Sequence, residues 1–450
     1  MTQAPRIALR AGAITFRGNP FLAPEAETFV YESDALLVME AGRITAFGPY
    51  EAIRPGLPKG TDIRSFPDAL LCPGFIDTHV HYPQTGMIAS FAGELLEWLE
   101  RYTFPTELAF ADPAYADAMA RVFLRQLLRN GTTTAMVYCT VHPHSAEALF
   151  AESHRFDTRM IAGKVLMDRN APQGLLDKSV ARSITESEAL IARWHGTGRQ
   201  LYAVTPRFAG TSTPEQLEAA GHLLKRHAGL FLQTHLSENR KEIEWIAGLF
   251  PERADYLDVY AHAGLVGPRA VFGHGVHVSE GNLCTCHETG AALAHCPTSN
   301  LFLGSGLFRL FDALDPRRPV RVGLGTDVGA GTSFSQLASL NEAYKVAALQ
   351  GGRLDAVKGF YLATLGGAHA LHLDARLGRL APGYEADVCV LDLKATELLA
   401  LRTARSDDIS DQLFALMTLG DDRAIRATYV AGRCAYDRDR AEPFRAAAEA

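Results

Sequence analysis

The sequence predicts an α/β protein: a (β/α)8 TIM-like barrel with a small composite β-sandwich built from the two ends of the chain. Three observations predict it. Between about residues 73 and 377, eight short apolar segments alternate with stretches long enough to hold helices. The two ends share another texture, alternating apolar and polar residues around glycine-containing turns. Finally, the unusual polar residues of the middle region fall where its apolar segments end, which is where barrels of this kind carry chemistry.

The terminal segments, 1–72 and 378–450, are expected to pair into one domain. IALRAGAITFRG and ALLVMEAGRITAFGP near the start read as half-buried antiparallel strands, and ADVCVLDL and ATYVAGRCAYD near the end repeat the pattern. VMEAGRI and YVAGRCA are locally alike, each a strand running into an Ala-Gly turn. The stretch 73–377 is then a single inserted barrel domain. Its strand candidates are GFIDTHV, TTAMVYC, RMIAGKVLM, LYAVTP, LFLQTH, AVFGHG, AALAHC and VRVGLGTD, with helices such as YADAMARVFLRQLLRNG and PEQLEAAGHLLKRH between them. The first gap, residues 81–131, is longer than one helix requires, and an insertion over the barrel mouth is expected from GELLEWLERYTFP onward.

At 450 residues the chain exceeds what a single core usually holds. Its 47 % hydrophobic and 21 % charged residues are an ordinary globular balance. With 44 Lys and Arg against 51 Asp and Glu, the net charge is −7 and no segment concentrates positive charge, so neither nucleic acid nor an anionic membrane is an expected partner. MTQAPRIALR lacks the basic-then-apolar order of a secretory signal, and no apolar run reaches the roughly 20 residues of a membrane span. Seven scattered cysteines suit reduced thiols in a cytoplasm better than a disulfide framework. Cys284 and Cys286 beside His287 match no usual zinc-knuckle spacing and read as helical or buried thiols.

His79 and His81 end the first strand two residues apart, so both point to one face and can reach one ion. His235, His274 and Asp327 end strands five, six and eight. Any one of them alone reads more simply as a capping or surface residue. Their coincidence at equivalent strand ends points to a metal-dependent hydrolase whose ion is held by His79, His81, His235 and Asp327. Imidazoles with one carboxylate suit zinc, and iron, cobalt or nickel would tolerate the same set. Glu238, three residues past His235, is placed to exchange protons with water at such a centre, although by position it also suits a cap for the helix beginning NRKEIEW. His142 and His144, separated by a proline, read as pocket-rim or surface residues, and His295 as a brace for its loop.

PGFIDTHVH, QTHLSE, FGHG, AHCPTSN and GLGTDVGAG, in this order, resemble the amidohydrolase superfamily in its cytosine/chlorohydrolase-like deaminase branch. PGYEADVCVLD resembles that superfamily's composite β-sandwich. Within the branch, HYPQ, LLEWLERYTFPTE, NGTTTA, VTPRF, THLSENR and the tail DQLFALMTLGDDRAIRATYVAGR resemble the guanine deaminases. Thr298 in CPTSN is a small departure from that group's wording, and nothing ties it to the reaction. The resemblance implies hydrolysis of guanine to xanthine and ammonia in purine catabolism, one Zn2+ (or Fe2+) per subunit, and a homodimer. It implies Glu238 as the proton shuttle to ring N3, His274 as the residue orienting the nucleophile, and Asp327 as an aid to ammonia's departure. Gln84 and Arg207 would bond the purine's O6 and N7 edge, Phe208 would stack on the ring, and His235 and Glu238 would also touch the substrate. Whether His274 also ligates the ion stays open. The nearest alternative is a deaminase of the same branch acting on another purine, a pterin or a chlorinated triazine; a non-catalytic scaffold is the alternative of another class. The other zinc-deaminase architecture, with His-x-Glu and Pro-Cys-x-x-Cys, is excluded because these elements do not occur here as a pair.

Overall fold

The computed structural model describes residues 6–91, 94–406 and 408–440. Residues 1–5 and 441–450 of the expected terminal domain, and with them the start of the amino-terminal stretch, lie outside the described residues. So do Ala92 and Gly93 at the start of the expected insertion.

Eight strands form the middle sheet: β1 (Phe75–His81), β2 (Thr132–Tyr138), β3 (Arg159–Gly163), β4 (Leu201–Pro206), β5 (Phe231–Leu236), β6 (Ala270–His274), β7 (Ala292–His295) and β8 (Arg321–Leu324). They follow one another in chain order and pair in parallel, and they coincide with the eight expected segments. A short outlier, Val165–Leu166, extends beyond β3 and pairs with the end of β4. Nearly every strand residue is buried, as expected when a parallel sheet is covered by helices outside and filled by side chains inside. The circle closes between β1 and the segment after β8, where the Asp327 amide donates to the His79 carbonyl and the His81 amide to the Val328 carbonyl, both at 2.9 Å.

The helices between strands form for local reasons. Helix Pro113–Arg129 starts on Asp112, whose side chain accepts from the Ala114 amide, with proline at its first position. Ala116, Ala120, Phe123, Leu124, Leu127 and Leu128 recur at helical spacing and are buried on one face. Helix Pro214–Arg226 starts the same way on Thr213. The long first gap folds into short helical turns, including Leu95–Trp98 and Phe104–Leu108.

Both ends of the chain build one seven-stranded sheet, ordered Arg433–Asp437, Ile425–Val430, Val388–Asp392, Asp62–Pro73, Ile7–Phe16, Phe29–Glu40 and Arg43–Pro49. Neighbours are antiparallel except Ile7–Phe16 against Asp62–Pro73. The carboxy-terminal strands join the amino-terminal ones where Cys389 faces Cys72. The two similar Ala-Gly turns are equivalent hairpins. Ala41-Gly42 and Ala431-Gly432 all have positive φ, between 47° and 78°, the backbone that tight two-residue hairpins require. Helices Glu397–Thr403 and Ile409–Leu419 interrupt this sheet in sequence, and the second packs on the barrel's outer helix Gln336–Leu349, with Phe414 edge-on to Tyr344 at 5.0 Å.

A buried charge cluster clasps sheet to barrel. Glu385, just before strand Val388–Asp392, accepts from Arg159 at the start of β3, from Arg199 just before β4, and from Arg376, all at 2.7–2.8 Å. Arg199 also pairs with Asp387 at 2.5 Å. Burial alone would raise the Glu385 carboxyl, but the arginines Arg199, Arg159 and Arg376 hold it at about 2, below its ordinary 4.5. A depressed carboxyl contributes stability that is complete above about 4.5 and is lost as pH falls towards 2. Glu385→Gln should therefore cost about 3–5 kcal/mol at neutral pH. Denaturant unfolding of both proteins should show this gap shrinking as pH is lowered through the acid range; an equal gap at neutral and acid pH would refute the account.

Candidate metal centre and active site

His79, His81, His235, His274 and Asp327 converge at the carboxyl end of the barrel, as their strand-end positions require. His79 Nε2 and His81 Nε2 each lie 3.3 Å from Asp327 Oδ1. His81 Nε2 is 3.2 Å from His235 Nε2, and His274 Nε2 is 3.8 Å from Asp327 Oδ2. Two overlapping sets of ligand atoms, His79/His81/Asp327 and His79/His235/His274, each fall within 4.8 Å of one another. The strands are shaped for this approach. A Cβ at Gly273 of β6 would sit 2.4 Å from the His79 ring, so the ring packs where only glycine leaves room. His274 and Asp327 themselves adopt left-handed backbone, φ 67° and 50°, a strain that side chains at functional sites often carry.

Nearby polar groups aim these residues. The His235 Nδ1–H donates to the Arg207 carbonyl at 2.7 Å, which leaves the Nε2 lone pair facing the cluster. Asn300 Oδ1 accepts from His274 Nδ1 at 2.9 Å, turning that Nε2 inward. His79 Nε2 and His274 Nε2 are buried without a hydrogen bond of good geometry. Burial also lowers the pKa values of His79, His81 and His235, favouring the neutral imidazoles that bind cations. Asp327 is held at about 2: burial would raise it, but His79, His274 and His235 lower it further. Neutral nitrogens around one ionised carboxylate, with buried atoms unsatisfied, fit a divalent ion.

Glu238 faces the cluster and not the helix behind it. The helix Arg240–Leu249 is capped by Asn239 and Glu242, and Glu238 contributes only its backbone amide, which donates to Glu242 Oε2 at 2.9 Å. Its carboxylate lies 3.5 Å from His274 Nε2 and accepts from Ser305 Oγ at 3.0 Å. Burial pushes the Glu238 pKa up to about 7. In the opposite sense, burial would lower His274, but Glu238 and Asp327 leave it raised.

One cavity joins these groups to the expected recognition residues. Gln84, Arg207 and Phe208 line it together with His81, His235, Glu238, His274 and Asp327. Leu95, Trp98 and Leu99 also line it, so the insertion does cover the mouth. His142 and His144 stack on each other at 5.4 Å away from this lining. His295 stacks under Phe308 at 4.7 Å, on the loop that carries Ser305, and burial holds it at about 3. Cys286 is buried and Cys284 partly so, both on helix Glu280–Thr289, and all seven cysteines are free thiols.

Several site residues escaped the sequence reading. Asp77 accepts from Thr326 Oγ1 at 2.5 Å and from the amides of Thr326 and His79 at 3.1 Å, tying the first strand to the residue before Asp327. Its signal was visible: a carboxylate two residues before His79 in FIDTHVH. Glu107 is fully buried in the insertion, where both oxygens accept from Arg207 Nη1 at 2.7 and 2.9 Å and one accepts from Gln84 Nε2 at 3.2 Å. Asn300, on the short helix Pro297–Phe302, and Ser305, in the loop that follows it, act from the segment after β7.

The sequence profile of the Amidohydrolase family matches residues 70–435. Guanine deaminase of Escherichia coli is 49 % identical over 421 residues, covering 94 % of this chain and 95 % of that protein. Its solved structure superposes with a TM-score of 0.93, covering 96 % of this chain and all of the other. A guanine deaminase from C. acetobutylicum, solved with guanine bound in the active site, superposes with a TM-score of 0.85 at 27 % identity, over 95 % of this chain and 99 % of that one. With the barrel, the terminal sheet and the His/Asp cluster in agreement, the chain belongs to the amidohydrolase family.

Proposed function

We propose that this enzyme hydrolyses the 2-amino group of guanine, giving xanthine and ammonia. The observation that carries the reading is one cavity lined by the His/Asp cluster, by the buried Glu238 carboxylate and by Gln84 and Arg207. His79, His81, His235 and Asp327 would hold the ion, and the three imidazoles with one carboxylate favour zinc. When bound, such an ion supplies Lewis acidity that makes a nucleophile available from water at neutral pH.

Glu238, with a pKa of about 7, is suited to accept a proton from the attacking water and deliver it to ring N3 as C2 becomes tetrahedral. His274, beside both Glu238 and Asp327, orients that water. Asp327, ionised at this pH, accepts the remaining proton and passes it to the departing ammonia. Arg207 and Gln84 present N–H donors to the O6 and N7 acceptors, the same match by which arginine reads guanine in DNA. Phe208, itself held edge-on by Trp245 at 5.7 Å, stacks on the purine. Adenine carries a donor at position six and meets donors there, which a buried site discriminates against strongly.

No helix among the described residues is long and apolar enough to cross a membrane. The free thiols support the reading of a cytoplasmic enzyme of purine catabolism, and its homodimeric state rests on the family resemblance.

Guanine should be converted to xanthine with release of ammonia, and adenine, cytosine and a chlorinated triazine should be poor substrates by comparison. Chelation should abolish turnover and added zinc restore it; no turnover of guanine by the zinc-loaded protein would overturn the assignment. Glu238→Gln should keep the metal, measured by elemental analysis, while kcat falls by about 10²–10⁴-fold. Asp327→Asn should lower metal content and rate together, and normal metal retention would remove it from the ligand set.

A further inference from the structure

We infer that Glu107 determines which purine the site accepts, by orienting Gln84 so that it, like the donor-only Arg207 that Glu107 holds in place, presents N–H groups to the six-position edge of the ring. The inference rests on the guanine reading above and extends it to a residue outside the metal centre. Glu107 belongs to the short helix Phe104–Leu108 of the insertion and does not line the cavity; it is fully buried behind the two residues that do.

The argument turns on the two ends of the Gln84 side chain. A carboxamide has one accepting and one donating end, and either can face a ligand unless its partners decide. Here both partners are single-valued. The Gly329 amide can only donate, and it donates to Gln84 Oε1 at 3.2 Å. Both oxygens of the Glu107 carboxylate already accept from Arg207 Nη1, and one of them also takes an N–H of Gln84 Nε2 at 3.2 Å. One orientation of the amide satisfies both, and flipping it would set donor against donor and acceptor against acceptor. The amide's second N–H is then the group left to meet a ligand.

The same carboxylate fixes Arg207. Both its oxygens engage Nη1, so the bridge leaves the Nε and Nη2 donors outside it. A guanidinium buried in a cavity lined by Leu95, Trp98, Leu99 and Phe208 needs such a counter-charge. Glu107 thus compensates the arginine's charge and sets the polarity of the glutamine. The resulting surface suits a ring edge bearing only acceptors, such as a 6-oxopurine, and opposes one bearing a 6-amino group. Glu107 is a positioning residue: it acts on the substrate through Gln84 and Arg207.

The test compares kcat/KM for guanine with that for 2,6-diaminopurine, which carries the same 2-amino group but an amine at position six. Wild-type turnover of guanine checks the guanine reading by itself. In Glu107→Gln, whose amide can donate as well as accept, the guanine-to-diaminopurine ratio should fall at least about tenfold, with the loss for guanine chiefly in KM and with metal content unchanged. Glu107→Asp, still an acceptor only, should lose activity on guanine yet hold the ratio. Should Glu107→Gln fail to accumulate as folded protein, Glu107→Ser, which admits water in place of the carboxylate, gives the same readout. An unchanged ratio in the Gln or Ser variant, or an equal fall in Glu107→Asp, overturns the proposal even while the wild-type enzyme deaminates guanine.

Discussion

The seam between the first and last barrel strands is the constraint on which the rest of the site depends. Asp77, buried in β1, gathers the Thr326 hydroxyl and the amides of Thr326 and His79. One residue on, the Asp327 amide meets the His79 carbonyl. These bonds close the barrel, and they also set the strand bearing His79 and His81 against the residue bearing the only carboxylate of the proposed ligand set. A parallel barrel has no free edge only if this last pair of strands meets. The bonds that close the barrel are therefore also the ones that set His79 and His81 against Asp327. Asp77 is fully buried there, and burial pushes its carboxyl up to about 7 despite its three hydrogen bonds.

Within that enclosure, two carboxylates of similar intrinsic acidity are driven apart. Asp327 lies among imidazoles and is held at about 2. Glu238 is just as buried, but it faces fewer favourable charges and rises to about 7. A permanently ionised group suits holding a cation, and a group poised near neutrality suits moving a proton. The division follows from environment and not from residue type, a pattern general to acid–base sites. It also explains why Glu238 is not used for helix capping. Asn239 and Glu242 satisfy the helix amides, and the Glu238 side chain is released into the cavity.

Much of this was legible in the sequence because it repeats or alternates. All eight barrel strands were readable since each is an apolar run ended by a turn, and strand ends are where a barrel exposes function. The His79/His81 spacing translated directly into a shared face. The two Ala-Gly hairpins were readable as kin because both need the same left-handed backbone. Residues that act across the fold left no such trace. Glu107 and Asn300 sit in short helices and Ser305 in a loop, and their partners lie 23 to 100 positions away. Nor does the terminal sheet's pattern announce the helices Glu397–Thr403 and Ile409–Leu419, which serve the barrel's outer wall although they lie between strands of another sheet.

The long gap after β1 now has a physical purpose beyond shielding. Closing a cavity over Arg207 raises the cost of its charge, because the apolar residues that exclude water also remove the solvent that would stabilise it. A lid of leucine and tryptophan alone would make that position unfavourable for arginine. The insertion supplies both parts together: Leu95, Trp98 and Leu99 to exclude water, and Glu107 to offset the cation thereby stranded. The ends of the barrel strands thus carry the proposed chemistry and the proposed recognition residues Gln84, Arg207 and Phe208, while the insertion supplies the carboxylate that pairs with Arg207 and Gln84. The two sets stay tied to each other, because the Arg207 carbonyl accepts from His235 Nδ1 and Gln84 Oε1 accepts from the Gly329 amide, two residues past Asp327.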